Sequence, residues 1–231
     1  MKNIKKHLEK LKNLKREKDH PLIHKIHKKH KISKKTLFYV KEYGEKSNAF
    51  KTIIKESVKI LLFASIISSL GGLAIENIKN YFLLLMPLII LLPTLNDMLG
   101  DYGTIISSRF STMLHEGKIR KNLLINKELK ELIKQIFLIA LIMGVFSAVA
   151  ALTISNFFGY NASMNIAIKI ILMILLDVLL LVGILFLVSI IGGLYFYRKG
   201  EDPNNFLIPI TTSIADFGNM FILLVLLTLF F

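Results

Sequence analysis

The sequence predicts an all-α integral membrane protein of five transmembrane helices, preceded by a basic cytoplasmic helical segment. Three observations point there. Of 231 residues, 53% are hydrophobic and the mean hydropathy is +0.56, yet 30 Lys and Arg against 16 Asp and Glu give a net charge of +14. The two properties are separated: residues 1–55 hold 18 of the 30 basic residues, and most apolar residues follow Val58. Five later stretches supply the roughly 20 mostly apolar residues a helix needs to cross about 30 Å of hydrocarbon. This partition excludes a uniform soluble fold and a disordered chain. Cysteine is absent, which excludes a disulfide scaffold, Cys-ligated zinc and Cys-ligated iron–sulfur clusters. The expected organisation is a juxtamembrane segment over 1–55 and a membrane domain over 56–231.

The first expected span is Val58–Ile75, which carries the small pair Gly71 and Gly72. The second, from Tyr81 to Phe110, is interrupted by Pro87, Pro93, Gly100 and Gly103 and contains Asp97 and Asp101. The third is Ile133–Phe158. The fourth, Ile166–Tyr197, holds Lys169 near one end and Asp177 inside, and the fifth, Phe206–Phe231, holds Pro209 and Asp216. A long basic stretch before the first apolar run argues against a cleaved secretory signal.

Orientation follows from counting Lys and Arg in the loops. The N-terminal segment has 18, the stretch Arg109–Lys134 has seven, and the loop after the fourth span has Arg198 and Lys199. With five spans all three fall on one side. The expectation is a multi-pass plasma-membrane protein with its N-terminus in the cytoplasm and its C-terminus outside.

In the N-terminal segment Ile4, Leu8, Leu11 and Leu14 repeat at helical spacing on a cationic background. Such a helix suits anionic lipid headgroups, at about 1 kcal/mol per basic residue near the surface. Nucleic acid is not expected as a partner, because the charge comes without an aromatic stacking platform or a recognisable motif. His20, His24, His27 and His30 would share one face of a continuous helix. A metal-sensing role and a solvated polar face are both open for them, with Pro21 and the neighbouring lysines favouring the second.

The acidic residues inside the spans are the most informative. An aspartate at a membrane helix centre costs about 2.5–3.5 kcal/mol on the insertion scale, so such residues mark ion or proton paths. Asp97, Asp101, Asp177 and Asp216 have no basic residue deep in any span to neutralise them. A transported cation is the simplest compensating charge. For Asp177 alone, a protonated or hydrogen-bonded contact between helices is an equal reading. Asp97 and Asp101 are four apart and face the same way on a helix. Gly100 and Gly103, downstream of Pro93, are where that helix is expected to unwind and free carbonyls for an ion or its waters. Asp216 and Asn219 share a face three residues apart. Every candidate ligand is oxygen, which suits Mg²⁺, Ca²⁺ or Mn²⁺ rather than soft metals. Without a Walker loop, a dinucleotide fingerprint or a Ser–His–Asp arrangement, no enzyme activity and no resident cofactor are expected. His115 is expected in a basic loop.

Two stretches resemble a known family. The first is Pro93, Asn96, Asp97, Gly100, Asp101 and Gly103 with Ser108, Arg109, Ser111 and Thr112. The second is Gly200, Glu201, Asp202, Pro203, Asn204 and Asn205, followed by Pro209 and Asp216. Both look like MgtE-type magnesium transporters, and the first looks even more like the related eukaryotic solute-carrier magnesium transporters. The resemblance covers residues 56–231 and agrees with that family's five-helix topology. It implies that Asp216 is the principal pore carboxylate and that one five-helix unit is half of a homodimeric pore. The chain departs from the family at Asp101, where Asn is usual, and at Asp97, where Gly is usual. It also lacks the large cytoplasmic sensor of bacterial MgtE.

The expected function is therefore a divalent cation transporter or channel, foremost for Mg²⁺. Asp216 would be central, Asp101 and Asp97 would hold the hydrated ion near a mouth, and Asn219 and Gly100 would orient its waters. A Na⁺- or H⁺-coupled exchanger using Asp177, and a non-transporting membrane adaptor, are the rivals.

Overall fold

The computed structural model describes residues 21–33, 36–37, 49–119, 126–199 and 201–231. The expected amphipathic helix over residues 4–18 lies outside them, as does His20. The described helices are α1 (Pro21–His30), α2 (Ala49–Leu84), α3 (Met86–His115), α4 (Lys127–Phe157), α5 (Met164–Lys199) and α6 (Pro203–Phe230). No strand occurs among the described residues.

Four of these helices, α2, α4, α5 and α6, are long and apolar enough to cross a membrane. The chain is thus an all-helical, multi-pass membrane protein. The expectation of five spans is met only in part, because α3 has the length, at 30 residues, but not the apolarity. Pro87, Pro93, Asn96, Asp97 and Asp101 dilute its first half, and Arg109 its second.

The boundaries moved most around α2. Its 36 residues rise roughly 54 Å at 1.5 Å each, well beyond the apolar stretch Ser57–Asn77. It also takes up Tyr81–Leu84, which were expected to open the second span. The turn into α3 is the single non-helical residue Leu85. Pro87 explains this break, since it has no N–H for the carbonyl four residues back and restricts Met86 before it. Farther on, Asn126 caps α4 by accepting from the Leu129 N–H at 3.1 Å while donating to Lys118 O at 2.8 Å. Asp202 caps α6 through the Asn204 N–H at 3.0 Å, with Pro203 in the first turn.

Gly100 and Gly103 do not unwind α3, which runs unbroken through both. Gly103 serves packing instead: a Cβ there would stand 3.1 Å from Thr211 Cβ, so its absence lets α3 and α6 approach closely. His115 likewise is not in a loop but closes α3, with Nε2 3.8 Å from Asp202 Oδ1.

α6 is the hub, packing on α2, α3 and α5, while α4 covers α3 and α5. α2 lies mainly on α6 and touches α3 only slightly. Leu95, Leu99 and Ile106 of α3, Ile174 and Leu181 of α5, and Ala215 and Leu227 of α6 fill the core. Three hydroxyls are buried within it: Ser107 Oγ lies 3.1 Å from both Ser189 Oγ and Thr211 Oγ1, tying α3, α5 and α6 together. Gly193 admits the fully buried Phe110 ring, since a Cβ there would sit 2.8 Å from it. Gly193→Ala is expected to destabilise the purified protein by about 1–3 kcal/mol through overpacking, seen as a lower Tm. An unchanged Tm would show that the ring can yield.

The basic segment also touches the bundle. Ile26 and Leu37 are buried, Ser33 Oγ lies 3.4 Å from Tyr197 Oη, and Thr36 Oγ1 donates to His115 O at 2.9 Å. Ser33 and Thr36 therefore meet the C-terminal ends of α5 and α3.

Candidate functional site

Asp216 is half-buried on α6, and its Oδ2 accepts a hydrogen bond from Ser68 Oγ of α2 at 3.0 Å. Among the described residues no Lys, Arg or His pairs with it. One turn on, Asn219 is wholly buried and donates through Nδ2 to Asn96 Oδ1 of α3. Its own Oδ1 is buried and has no hydrogen-bond partner among the described residues. Two side chains three residues apart on α6 thus engage two different helices. α2 and α3 scarcely touch each other, so the two contacts join them through α6. Thr212, one turn before Asp216, back-bonds to Ile208 O at 3.0 Å.

On α3 Gly100 is partly exposed, and among the described residues nothing beyond its own helix lies within 4 Å of where its Cβ would stand. Its carbonyl accepts from Thr104 Oγ1 at 3.1 Å. Asp97 and Asp101 are exposed and share one side of α3 with Thr94 and Thr112, a polar stripe along the helix. Asn96 links the stripe to α6, since it is the sequence neighbour of Asp97 and the partner of Asn219. All side-chain donors of this region are oxygen or amide groups, the chemistry of hard divalent cations.

Asp177 stands apart from Asp216 and Asn219. It lies inside α5, fully buried, and neither carboxylate oxygen has a hydrogen-bond partner among the described residues. One turn away Leu181 packs at Gly218, a different side of α6 from the one on which Asp216 meets Ser68. Lys169 does not reach Asp177. Its Nζ donates to Phe230 O at 2.6 Å and lies 5.1 Å from the Phe231 ring centroid.

Two partners, Asn96 and Ser68, were not among the expected site residues. Asn96 had a usable signal, an amide inside an apolar stretch beside Asp97. Ser68 had none, because serines in apolar helices commonly bond back to their own backbone, as Ser65 and Ser69 do to Leu61 O and Ser65 O. In the histidine run, His27 Nδ1 lies 2.5 Å from Ile32 O. Among the described residues no group of three or more His, Cys, Asp or Glu is placed to hold a metal ion.

The family model MgtE, described as a divalent cation transporter, matches residues 92–226, which hold α4, α5, most of α3 and most of α6. No curated protein and no solved structure matches the chain.

Proposed function

The chain belongs to the MgtE family of divalent cation transporters, and from that premise we propose that it conducts a hydrated divalent cation, foremost Mg²⁺, past Asp216. The observation that carries this reading is the position of Asp216. A carboxylate half-buried on the hub helix, with a serine hydroxyl as its one partner among the described residues, is an anion that the fold leaves to be neutralised. Mg²⁺ keeps several of its waters when bound, so one or two carboxylates with amide and hydroxyl groups suffice. Asn219 and the open space at Gly100 would orient those waters. Asp97 and Asp101 would concentrate the ion at a mouth of the path.

One chain supplies one Asp216. A second copy packed beside α2 and α3 would bring a second carboxylate and cover the polar stripe of α3, which is costly to leave against lipid. We therefore favour a homodimer with α3 as the fifth membrane-crossing helix. The orientation with the N-terminus in the cytoplasm is supported by the basic segments meeting at one end, through the contacts of Ser33 and Thr36 with Tyr197 and His115. Exposed Lys25, Lys28, Lys29 and Lys31 would face anionic headgroups there.

The test is flux into vesicles holding the full chain, with Mg²⁺, Mn²⁺, Ca²⁺ and Co²⁺ in competition. Uptake driven by an inside-negative potential, in which Mg²⁺ competes best, is the expected result. A divalent ion gains about 4.6 kcal/mol per 100 mV, twice the single-charge value of about 2.3. Absence of divalent flux would end the proposal.

A coupled mechanism has its own supporting observation in Asp177. A buried carboxylate without a hydrogen-bond partner needs a proton or a cation to neutralise it. If Asp177 carries the coupling ion, flux will depend on the pH or Na⁺ gradient, and Asp177→Asn will remove that dependence while the protein stays folded. Wild-type flux insensitive to both gradients would discard this role.

A further inference from the structure

A second site lies on the outside of the bundle, in a groove of about 620 Å³ between α3 and α4. Its two ends differ in chemistry. Toward the connection between the helices it is lined by Arg109, Lys127, Glu128 and Glu131, and toward the bundle middle by Ile105, Ile136 and Ile139. From the groove the apolar surface continues along α4 through exposed Leu138, Ile142 and Phe146. A charged rim above an apolar slot is the profile of a bound amphiphile at a membrane interface.

The charges narrow the headgroup. Lys118 Nζ lies 2.8 Å from Glu116 Oε2 and 3.6 Å from Glu128 Oε2, so Glu128 is already engaged. Among the described residues no carboxylate pairs with Arg109 or Lys127. These two cations are left for a phosphate, which a guanidinium can grip with two parallel hydrogen bonds. Among the described residues Glu131 accepts only a neutral amide hydrogen bond, from Gln135 Nε2 at 3.3 Å, and it retains its charge and further acceptor positions. It therefore suits an ammonium that can donate hydrogen bonds.

We propose that the α3–α4 groove binds a glycerophospholipid with a primary-ammonium headgroup, of the phosphatidylethanolamine kind. Arg109 and Lys127 hold its phosphate, Glu131 holds its ammonium, and an acyl chain lies along Ile105, Ile136 and Ile139. A choline headgroup satisfies the first pair but offers no N–H to Glu131. A glycerol headgroup offers no positive charge.

Native mass spectrometry of the full chain in detergent, titrated with phosphatidylethanolamine, phosphatidylcholine and phosphatidylglycerol of identical acyl chains, tests this. Ethanolamine lipid should be retained about tenfold better than choline lipid, the worth of one charge-assisted contact. Glu131→Gln should erase that preference without weakening choline-lipid binding, and Arg109→Gln should weaken both about tenfold, with Arg109→Lys between. Equal retention of all three lipids, or an Arg109→Gln protein that binds like wild type, would overturn the proposal. The rival occupant, a second copy of the chain, has a direct readout because the protein has no cysteine. Ile139→Cys protein in oxidised vesicles should stay uncrosslinked, and a disulfide-linked dimer there would also overturn the proposal.

Discussion

Asp216→Asn protein is expected to lose divalent flux by at least about 100-fold while remaining folded. Asparagine keeps the volume and can still accept from Ser68 Oγ, so the α2–α6 contact survives and only the charge is lost. A divalent ion about 5 Å from one carboxylate, at an effective dielectric of 20, is attracted by roughly 6–7 kcal/mol. Even if less than half of that is realised, about 3 kcal/mol corresponds to a factor above 100. In the proposed homodimer both copies lose their charge, and the loss deepens. Asp216→Glu keeps the charge at a slightly different reach and should recover flux to within about tenfold of wild type. The measurement is Mg²⁺ entry into vesicles loaded with a fluorescent chelator, alongside a Tm for each variant. A folded Asp216→Asn protein that conducts normally would remove Asp216 from the path.

The second large effect belongs to the α3 stripe, and it has a different signature. Asp97 and Asp101 are exposed, so each acts on an approaching ion through water. At about 8 Å and a dielectric near 80, each contributes roughly 1 kcal/mol toward a divalent charge. Replacing both by asparagine should weaken the apparent affinity for Mg²⁺ about 10–30-fold at low ionic strength. At 0.5 M monovalent salt the difference should shrink to a few-fold, because the Debye length falls below the separation. Asp216 works at closer range and should be much less salt-sensitive. An Asp97→Asn, Asp101→Asn protein with unaltered affinity, or with a loss indifferent to salt, would refute a role for this stripe in ion capture.

How much of this was legible beforehand varies with the range of the interactions concerned. The helices α4, α5 and α6 fall within a few residues of the expected spans, because long apolar runs announce themselves locally. The turn at Leu85 was misplaced although Pro87 was in view. A proline reveals that a helix is interrupted, but Pro93 and Pro209 lie inside α3 and α6 without ending them. Packing decides which proline becomes an end. Gly103 was misread for a related reason, since a glycine that frees the backbone and a glycine that admits a neighbour are the same residue until Thr211 is placed against it. For Asp216 the expectation named no partner, and the hydroxyl of Ser68 was not foreseen.

What the sequence by itself determined is the set of helices and the acids they carry. Lipid offers no hydrogen bonds, so each crossing segment must satisfy its backbone internally, and apolar runs of sufficient length become helices whatever surrounds them. The tertiary structure alone decided which acid is left half-buried beside α2 and which is enclosed. Ser68 and Asp216 are 148 positions apart, and Asn96 and Asn219 are 123 apart. Each pair is joined only by the way α2 and α3 lie on α6. That arrangement is set by the shapes of many side chains at once, such as the small surface of Gly71 against Phe217, and no local pattern in the chain encodes it.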